Sequence, residues 1–212
     1  AENRSNRMQI DLGRSRRRIS IRRVGKKAVK KADVLCVSDQ FDFGCVTDRV
    51  REAVNEIAKS ILTVVDSRSR IKEYKNAFLK PNEIECARAL NLSDDFLAKA
   101  DEKETERTLK ELFNKTNSNI CLTLGKKGVR VLKDNKIYSC FGLKVEDPID
   151  TCGAGDCFLS AFSLALAVNA EIIYCETIGN LASAISIKKI NTTGSASRSE
   201  ILTLFNKEAK DE

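Results

Sequence analysis

The chain has 212 residues, enough for one ordinary domain, and its 42% hydrophobic and 32% charged content is typical of a globular protein. It contains no histidine, which excludes Cys/His zinc sites and Ser-His or Cys-His nucleophile pairs, so acid–base chemistry falls to carboxylates, Lys, Tyr or Cys. The net charge of +7 comes from residues 1–31, where twelve Arg or Lys face two acidic residues, a balance of +10 that leaves −3 for the rest.

The composition also bears on compartment. No apolar run approaches the ~20 residues of a membrane helix, and the N-terminus lacks a signal-peptide core. We therefore expect a cytoplasmic protein with no membrane partner. The eight cysteines form no Cys-x-x-Cys pair, and several lie in apolar stretches, as Cys36, Cys121 and Cys175 do. This pattern predicts reduced, mostly buried thiols.

Residues 1–31 form a basic segment that we separate from the main domain, residues 32–212. The segment contains two apolar alternations, at Met8, Ile10 and Leu12 and at Ile19 and Ile21. Such alternation predicts one or two strands at a sheet edge. The positive charge attracts polyanions, but the absence of aromatic residues disfavours binding to single-stranded nucleic acid.

Beyond residue 32, apolar runs of strand length alternate with amphipathic helical patterns. The predicted strands are 33–39, 61–65, 77–79, 120–124 and a hairpin of 129–132 and 137–141. The first predicted helix begins near Thr47, a second covers 82–90, and one or two more lie within 93–117. Further helices are predicted over 153–168 and 171–188, and the last begins at the capping box Ser197-x-x-Glu200. This alternation predicts a three-layer α/β/α sandwich with a mostly parallel central sheet.

Ligands of such sheets bind beyond the carboxyl ends of the strands. Residues that fall after predicted strands or at turns are Asp39, Asp66, Asn82, Gly125 and Gly153. We expect them to line one edge of the sheet.

The stretch 150–156 reads Asp-Thr-Cys-Gly-Ala-Gly-Asp and precedes an apolar run. It is typical of a glycine-containing turn that leads into a helix, whose free N–H groups and partial positive charge bind anions. Asp156 places a carboxylate beside that site, an arrangement suited to phosphoryl transfer to a hydroxyl. On spacing alone, a helix cap whose aspartates satisfy the terminus explains the motif equally well. No Walker motif or full dinucleotide fingerprint occurs.

The motif resembles the signature of the ribokinase-like (PfkB) carbohydrate kinases, and the chain is similar in particular to the heptose-phosphate kinases. The resemblance implies an ATP-dependent phosphotransferase that acts on an alcohol of a sugar or sugar phosphate, with heptose 7-phosphate as the leading acceptor. It makes Asp156 the general base. It assigns Gly153, Ala154 and Gly155 to the transferring phosphoryl group, and Asp150 and Thr151 to the turn and to phosphate or sugar.

Other stretches match the family in the same order. Asn82-x-x-Glu85 resembles its magnesium- and phosphate-organising motif, although a helix-capping Asn with a solvent-facing Glu gives the same spacing. The resemblance implies ATP and Mg²⁺ as cofactors. The implied nucleotide-binding residues are Thr123, Gly125, Gly128, Asn180, Ser183 and Gly194. Asp39 and Asp66 match positions near the phosphates, but aspartates at strand ends are also ordinary turn residues.

The resemblance covers about residues 30–207, and family members are longer. We expect the N-terminal part, with the sugar-binding loop and much of the lid, to be missing. Residues 40–44 read Gln-Phe-Asp-Phe-Gly where heptose kinases tend to have a tyrosine and a lysine, and Ser67-Arg68 stands where Pro-Lys is usual. Two alternatives stay open: an impaired homologue that binds nucleotide and acts through interaction, and a polyanion-binding protein. A homodimer is compatible with either.

Overall fold

The structure, a computed structural model, describes Val29 and residues 31–211. Its strands are β1 (Val34–Asp39), β2 (Leu62–Ser67), β3 (Phe78–Leu79), β4 (Ile120–Thr123), β5 (Val129–Lys133) and β6 (Lys136–Cys140). Its helices are α1 (Asp48–Ile57), α2 (Glu83–Ala89), α3 (Phe96–Lys99), α4 (Glu102–Thr116), α5 (Ala154–Ala167), α6 (Ile172–Ile187) and α7 (Arg198–Asp211). The strands predicted within residues 1–31 precede β1 and lie outside the described residues.

The six strands form one sheet in the order β1-β2-β3-β4-β5-β6. Strands β1 to β4 are parallel, whereas β5 is antiparallel to β4 and β6 is antiparallel to β5. The prediction of a mostly parallel sheet is confirmed. The hairpin is confirmed as well, because Asp134 and Asn135 both have positive φ, at 50° and 62°, as a tight left-handed turn requires.

The sheet separates two apolar layers. Residues of α1, α2 and α4, among them Val54, Cys86 and Leu109, pack on one face. Helices α5 and α6 cover the other face, where Phe162 packs edge-on against Phe78 of β3. Helix α7 packs against α6. The predicted three-layer architecture is therefore confirmed, and within the described part of the chain no helix has an apolar stretch long enough to cross a membrane.

Two of the predicted helix starts are supported by side-chain hydrogen bonds. Asn82 caps α2 through a reciprocal bond with Glu85. Ser197 and Glu200 make the same arrangement at α7, where the Ser197 N–H donates to a Glu200 oxygen at 2.7 Å. Because α2 has seven residues and is too short to be stable in isolation, its cap and its packing on the sheet hold it in place.

The cysteines differ in part from the prediction. All eight are free, in agreement with reduced thiols. However, the prediction that most are buried is wrong, because three are buried (Cys86, Cys121 and Cys175) and three are exposed (Cys36, Cys45 and Cys152). Cys36 is exposed because β1 is the outer strand of the described sheet, so that helices cover its faces incompletely.

Candidate functional site

The first part of the site is the N-terminus of α5. Gly153 is its N-cap with φ 79°, and no described side chain caps this end. The turn is closed internally, since the Ala154 N–H donates to the Thr151 carbonyl at 3.2 Å and the Cys152 N–H donates to the Asp150 carboxylate at 3.0 Å. By contrast, the N–H groups of Gly153, Gly155 and Asp156 donate to no described residue. The helix therefore offers open donors to an anion.

Asp156 lies in the first turn of α5, and its side chain is exposed. Its carboxylate lies 3.5 Å from the Ser38 hydroxyl at the end of β1. No salt bridge within the described part of the chain engages it. An exposed carboxylate beside open N–H donors is free to accept a proton from an incoming hydroxyl.

Beneath this helix end lies a row of side chains set by the strand register. Ser38 pairs with Asp66 across β1 and β2, and Lys80 directly follows β3. The Lys80 ammonium and the Asp66 carboxylate form an ion pair at 2.8 Å, with side chains 3% and 7% exposed. A Cβ placed on Gly155 would lie 3.8 Å from both charged atoms. The buried Lys80–Asp66 ion pair therefore lies next to the open donors.

Lys80 was not predicted as a site residue. A signal was present, because this lysine ends an apolar strand run directly before Pro81-Asn82. Lysine is rarely buried without a partner, so its burial could be expected only once the pairing with Asp66 on another strand was known. Asp66, its partner, was predicted, and a Cβ on Gly155 would lie 3.8 Å from its carboxylate; its role near the phosphates stays a prediction.

Asn82 and Glu85 make a complete capping box. The Asn82 N–H donates to Glu85 Oε2 and the Glu85 N–H donates to Asn82 Oδ1, both at 2.9 Å. Glu85 is buried, at 6% exposure, rather than facing solvent. Burial raises the pKa of Glu85, the Asn82 hydrogen bond offsets part of that effect, and the negative charge of Asp66 adds to it. The interpretation of Asn82 as a helix cap is thus confirmed, whereas the expectation that Glu85 faces solvent is wrong.

Glu85 and Asp66 are suited to a magnesium ion that keeps most of its waters. Among the described residues, no group of three or more acidic or Cys side chains is arranged to hold a metal. Mg²⁺ usually keeps several waters and is held by one or two carboxylates together with substrate phosphates. Glu85 and Asp66 lie close enough to interact electrostatically and suit such a hydrated ion. They do not suit a cage built from protein ligands alone.

Asp39 lies on the other face of the sheet, because it is one residue beyond Ser38. Its carboxylate accepts hydrogen bonds from Ser67 and Tyr74, both at 2.9 Å, and from Arg70. Burial raises the pKa of Asp39, but the bonds from Arg70, Tyr74 and Ser67 outweigh it and leave the pKa lowered. Arg70 also donates to the carbonyls of Phe41 and Asp42. The structure therefore places Asp39 in a network that anchors the loop after β1, apart from Asp156.

The loop around β4 and β5 lies at the same edge of the sheet as the α5 N-terminus. Thr123 forms a bridge with Asn82. Gly128 has φ 87°, and a side chain there would meet the Cys140 carbonyl, so a glycine is required. A Cβ on Gly125 would meet nothing within 4 Å, which leaves that position open to a ligand.

Helix α6 and the loop that follows it carry the other predicted nucleotide-binding residues. Asn180 Nδ2 donates to the Phe141 carbonyl at 3.1 Å, and Ser183 Oγ donates to the Ala154 carbonyl at 2.9 Å. Gly194 is buried against Ser186, where a side chain would meet the backbone. A Cβ on Gly153 would lie 2.9 Å from Thr193, so the loop of Gly194 borders the signature turn.

Comparison with known sequences gives a consistent result. A family model described as pfkB family carbohydrate kinase matches residues 21–199. The protein named Bifunctional protein HldE of Campylobacter concisus is 36% identical over 167 residues, which make up 77% of this chain and 34% of that protein. The chain therefore spans about a third of the length of the curated relatives it matches.

Comparison with solved structures shows the fold. A ribokinase from Giardia lamblia superposes with a TM-score of 0.72 at 19% identity, covering 89% of this chain and 64% of that one. The Arabidopsis thaliana ribokinase complexed with ribose and ATP gives 0.70 at 17% identity, covering 85% and 58%. The described residues therefore have a ribokinase-like fold.

Proposed function

The chain belongs to the pfkB family of carbohydrate kinases, and on this premise we propose that it transfers the γ-phosphate of ATP to an alcohol of a sugar or sugar phosphate. One observation carries the proposal. The exposed carboxylate of Asp156 adjoins open backbone donors at the start of α5, with the ammonium of Lys80 beneath them. The similarity to HldE and to heptose-phosphate kinases makes heptose 7-phosphate the leading acceptor.

In the proposed reaction Asp156 accepts the proton of the acceptor hydroxyl. The oxygen then forms a bond to the γ-phosphorus while the bond from that phosphorus to the bridging oxygen breaks, and ADP leaves with the electron pair. A general base of this kind typically contributes about 10²–10⁴ in rate. Asp156 suits the role because its carboxylate is exposed and in no salt bridge with a described residue.

The remaining parts of the site stabilise charge. The N–H groups of Gly155 and Asp156 would bind the oxygens of the transferring group, and Lys80 would add a positive charge held in place by Asp66. Because these groups are already oriented, little reorganisation opposes the reaction. A magnesium ion, held through its waters by Glu85 and Asp66, would neutralise charge on the phosphates.

The test pairs binding with turnover. Titration calorimetry with ATP and magnesium should show binding, and an assay of ADP formation over heptose 7-phosphate, fructose 6-phosphate and ribose should show turnover with at least one acceptor. The Asp156→Asn variant should bind ATP and turn over about 10²–10⁴ times more slowly. Failure of the wild-type chain to bind ATP would overturn the proposal.

A second candidate is a homologue that binds nucleotide without turnover. Phe41 and Phe43 favour it, because both rings are largely exposed in the loop where heptose kinases tend to have a tyrosine and a lysine. If the chain binds ATP but forms no ADP with any acceptor tested, this alternative is supported over the kinase.

Compartment and partners follow from the proposed chemistry. ATP and sugar phosphates are substrates of the cytoplasm, so we propose that location. A homodimer stays a prediction. The polyanion-binding role of residues 1–31 also stays a prediction, because almost all of that segment lies outside the described residues. Steeply salt-dependent RNA or DNA binding that is lost on deleting residues 1–31 would support it.

A further inference from the structure

Phe141, which directly follows β6, has an unusual setting for an exposed aromatic residue. Its side chain is 79% exposed. The Arg130 guanidinium carbon lies 5.5 Å from the ring centroid. Arg130 is itself 4% exposed and donates to both carboxylate oxygens of Glu102, at 2.6 and 3.0 Å. A fixed cation therefore backs the ring, while much of the ring surface stays open to a ligand.

The backbone at Phe141 is held firmly. Its neighbour Gly142 packs against the turn at Gly128, where a Cβ on Gly142 would lie 2.5 Å from the Lys126 carbonyl and 3.0 Å from the Gly128 nitrogen. Asn180 adds a hydrogen bond to the Phe141 carbonyl at 3.1 Å. The ring is thus presented from a rigid support, which lowers the entropy cost of stacking on it.

Contacts with α6 relate the position of Phe141 to the proposed phosphate site at the α5 N-terminus. Asn180 binds the Phe141 carbonyl and Ser183 binds the Ala154 carbonyl at the start of α5. Residues three apart on a helix have Cβ atoms about 5–6 Å from one another. The backbone of Phe141 and the start of α5 are therefore bound by side chains about one turn apart on α6, and Phe141 adjoins the loop of Gly125 and Gly128.

We propose that the open surface of Phe141 stacks on the aromatic base of the bound nucleoside triphosphate and sets the affinity for that base. The inference rests on the proposed function, in which the phosphates lie at the α5 N-terminus. A nucleotide with its phosphates at that terminus extends its sugar and base along the same edge of the sheet, toward Phe141. Base–aromatic stacking depends on the π-face of the base, so it contributes affinity without a hydrogen bond.

The test compares a nucleotide with a ligand that lacks a base. Titration calorimetry measures the Kd of ADP and of inorganic tripolyphosphate for the wild type and for Phe141→Ala, Phe141→Tyr and the control Phe205→Ala, whose ring is 44% exposed on α7. We expect Phe141→Ala to raise the Kd of ADP about tenfold and to leave that of tripolyphosphate unchanged. Phe141→Tyr and Phe205→Ala should match the wild type for both ligands.

The outcomes separate this inference from the proposed function. Tight ADP binding by Phe141→Ala, at the wild-type Kd, would overturn the stacking role and leave the kinase proposal standing. Equal weakening of ADP and tripolyphosphate would also overturn it, because the ring would then act through the fold of the site. Absence of ADP and ATP binding by the wild type would overturn both.

Discussion

Asp156 allows a test in which chemistry changes and the fold does not. Its carboxylate is exposed and forms no salt bridge with a described residue, so Asp156→Asn removes a base while it leaves the packing of α5 intact. We expect kcat to fall by about 10²–10⁴. The melting temperature and the Kd of ATP should stay at wild-type values. Stopped assays of ADP formation measure the first quantity and calorimetry the other two, and a variant with wild-type kcat would show that another group is the base.

Substituting the two glycines of the signature turn should have different effects: Gly155→Ala should lower activity, and Gly153→Ala should lower stability. Gly155→Ala should keep the fold, because its Cβ would lie at ordinary contact distance, 3.8 Å, from Asp66 and Lys80. In a helix this change even stabilises by roughly 0.5–1 kcal/mol. The added methyl group, however, takes up space between the backbone of the open donors and the Lys80–Asp66 pair, 3.8 Å from both charged atoms, where we propose that the phosphate binds, so we expect kcat/KM for ATP to fall at least tenfold.

Gly153→Ala supplies the matched comparison. Its φ of 79° is strained for alanine, and its Cβ would lie 2.9 Å from Thr193. We expect a loss of about 1–3 kcal/mol in the free energy of unfolding, measured by urea denaturation. Cys152→Ala, at an exposed position, should change neither quantity. A Gly155→Ala enzyme with full activity would argue that no phosphate approaches this helix end.

The sequence predicted the edge at which these residues meet but not the face that each one occupies. Successive residues of a strand point to opposite faces, so an uncertainty of one position reverses an assignment. Asp39 was a candidate for the phosphates, yet Ser38 is the residue that faces Asp156. Lys80 escaped notice for a related reason, because its burial depends on its pairing with Asp66, which lies on a different strand.

At the scale of elements, the cap of α2 separates stability from metal binding. Asn82→Ala removes the side-chain acceptor of the Glu85 N–H and should cost about 1 kcal/mol of stability. Asp101→Ala is the matched control, since Asp101 makes the same capping box at α4. We expect both variants to lose similar stability in urea, while Asn82→Ala alone requires more magnesium for half-maximal activity. An equal magnesium requirement in the two would contradict a metal role for α2.

The elements were the most predictable part of the fold. Local hydrogen-bonding rules settle caps and tight turns, which is why the start of α2 and the hairpin at Asp134-Asn135 were placed correctly. The stretch 93–117 was less determined, because its charged outer face suits one helix or two. The structure has two, α3 and α4, and Asp101 caps the second through a hydrogen bond from the Glu104 N–H.

At the scale of the whole molecule, one buried charge lies in the layer between the sheet and α6. Glu176 is fully buried, and neither of its carboxylate oxygens has a hydrogen-bond partner in the described part of the chain. Burial raises its pKa to about 8, although the positive charge of Arg130 and the backbone of Val131 partly offset the effect. An unpartnered buried carboxyl group is expected to stay protonated at neutral pH.

This group gives the stability of the whole domain a definite pH dependence. In the unfolded chain Glu176 ionises near its usual pKa of 4.5, whereas the folded protein keeps the proton until pH about 8. Between those values the folded state binds more protons, so the free energy of unfolding contributed by this group falls as pH rises and is fully retained below pH 4.5. Glu176→Gln removes this term, so we expect its stability relative to the wild type to rise by about 3–4 kcal/mol between pH 5 and pH 8. Urea denaturation across this range measures the difference. Glu200→Gln is the control, because Lys189 and Ser197 lower the pKa of the partly exposed Glu200 to about 2, so its contribution is lost only in acid. A constant difference between Glu176→Gln and the wild type at every pH would show that Glu176 does not titrate on unfolding.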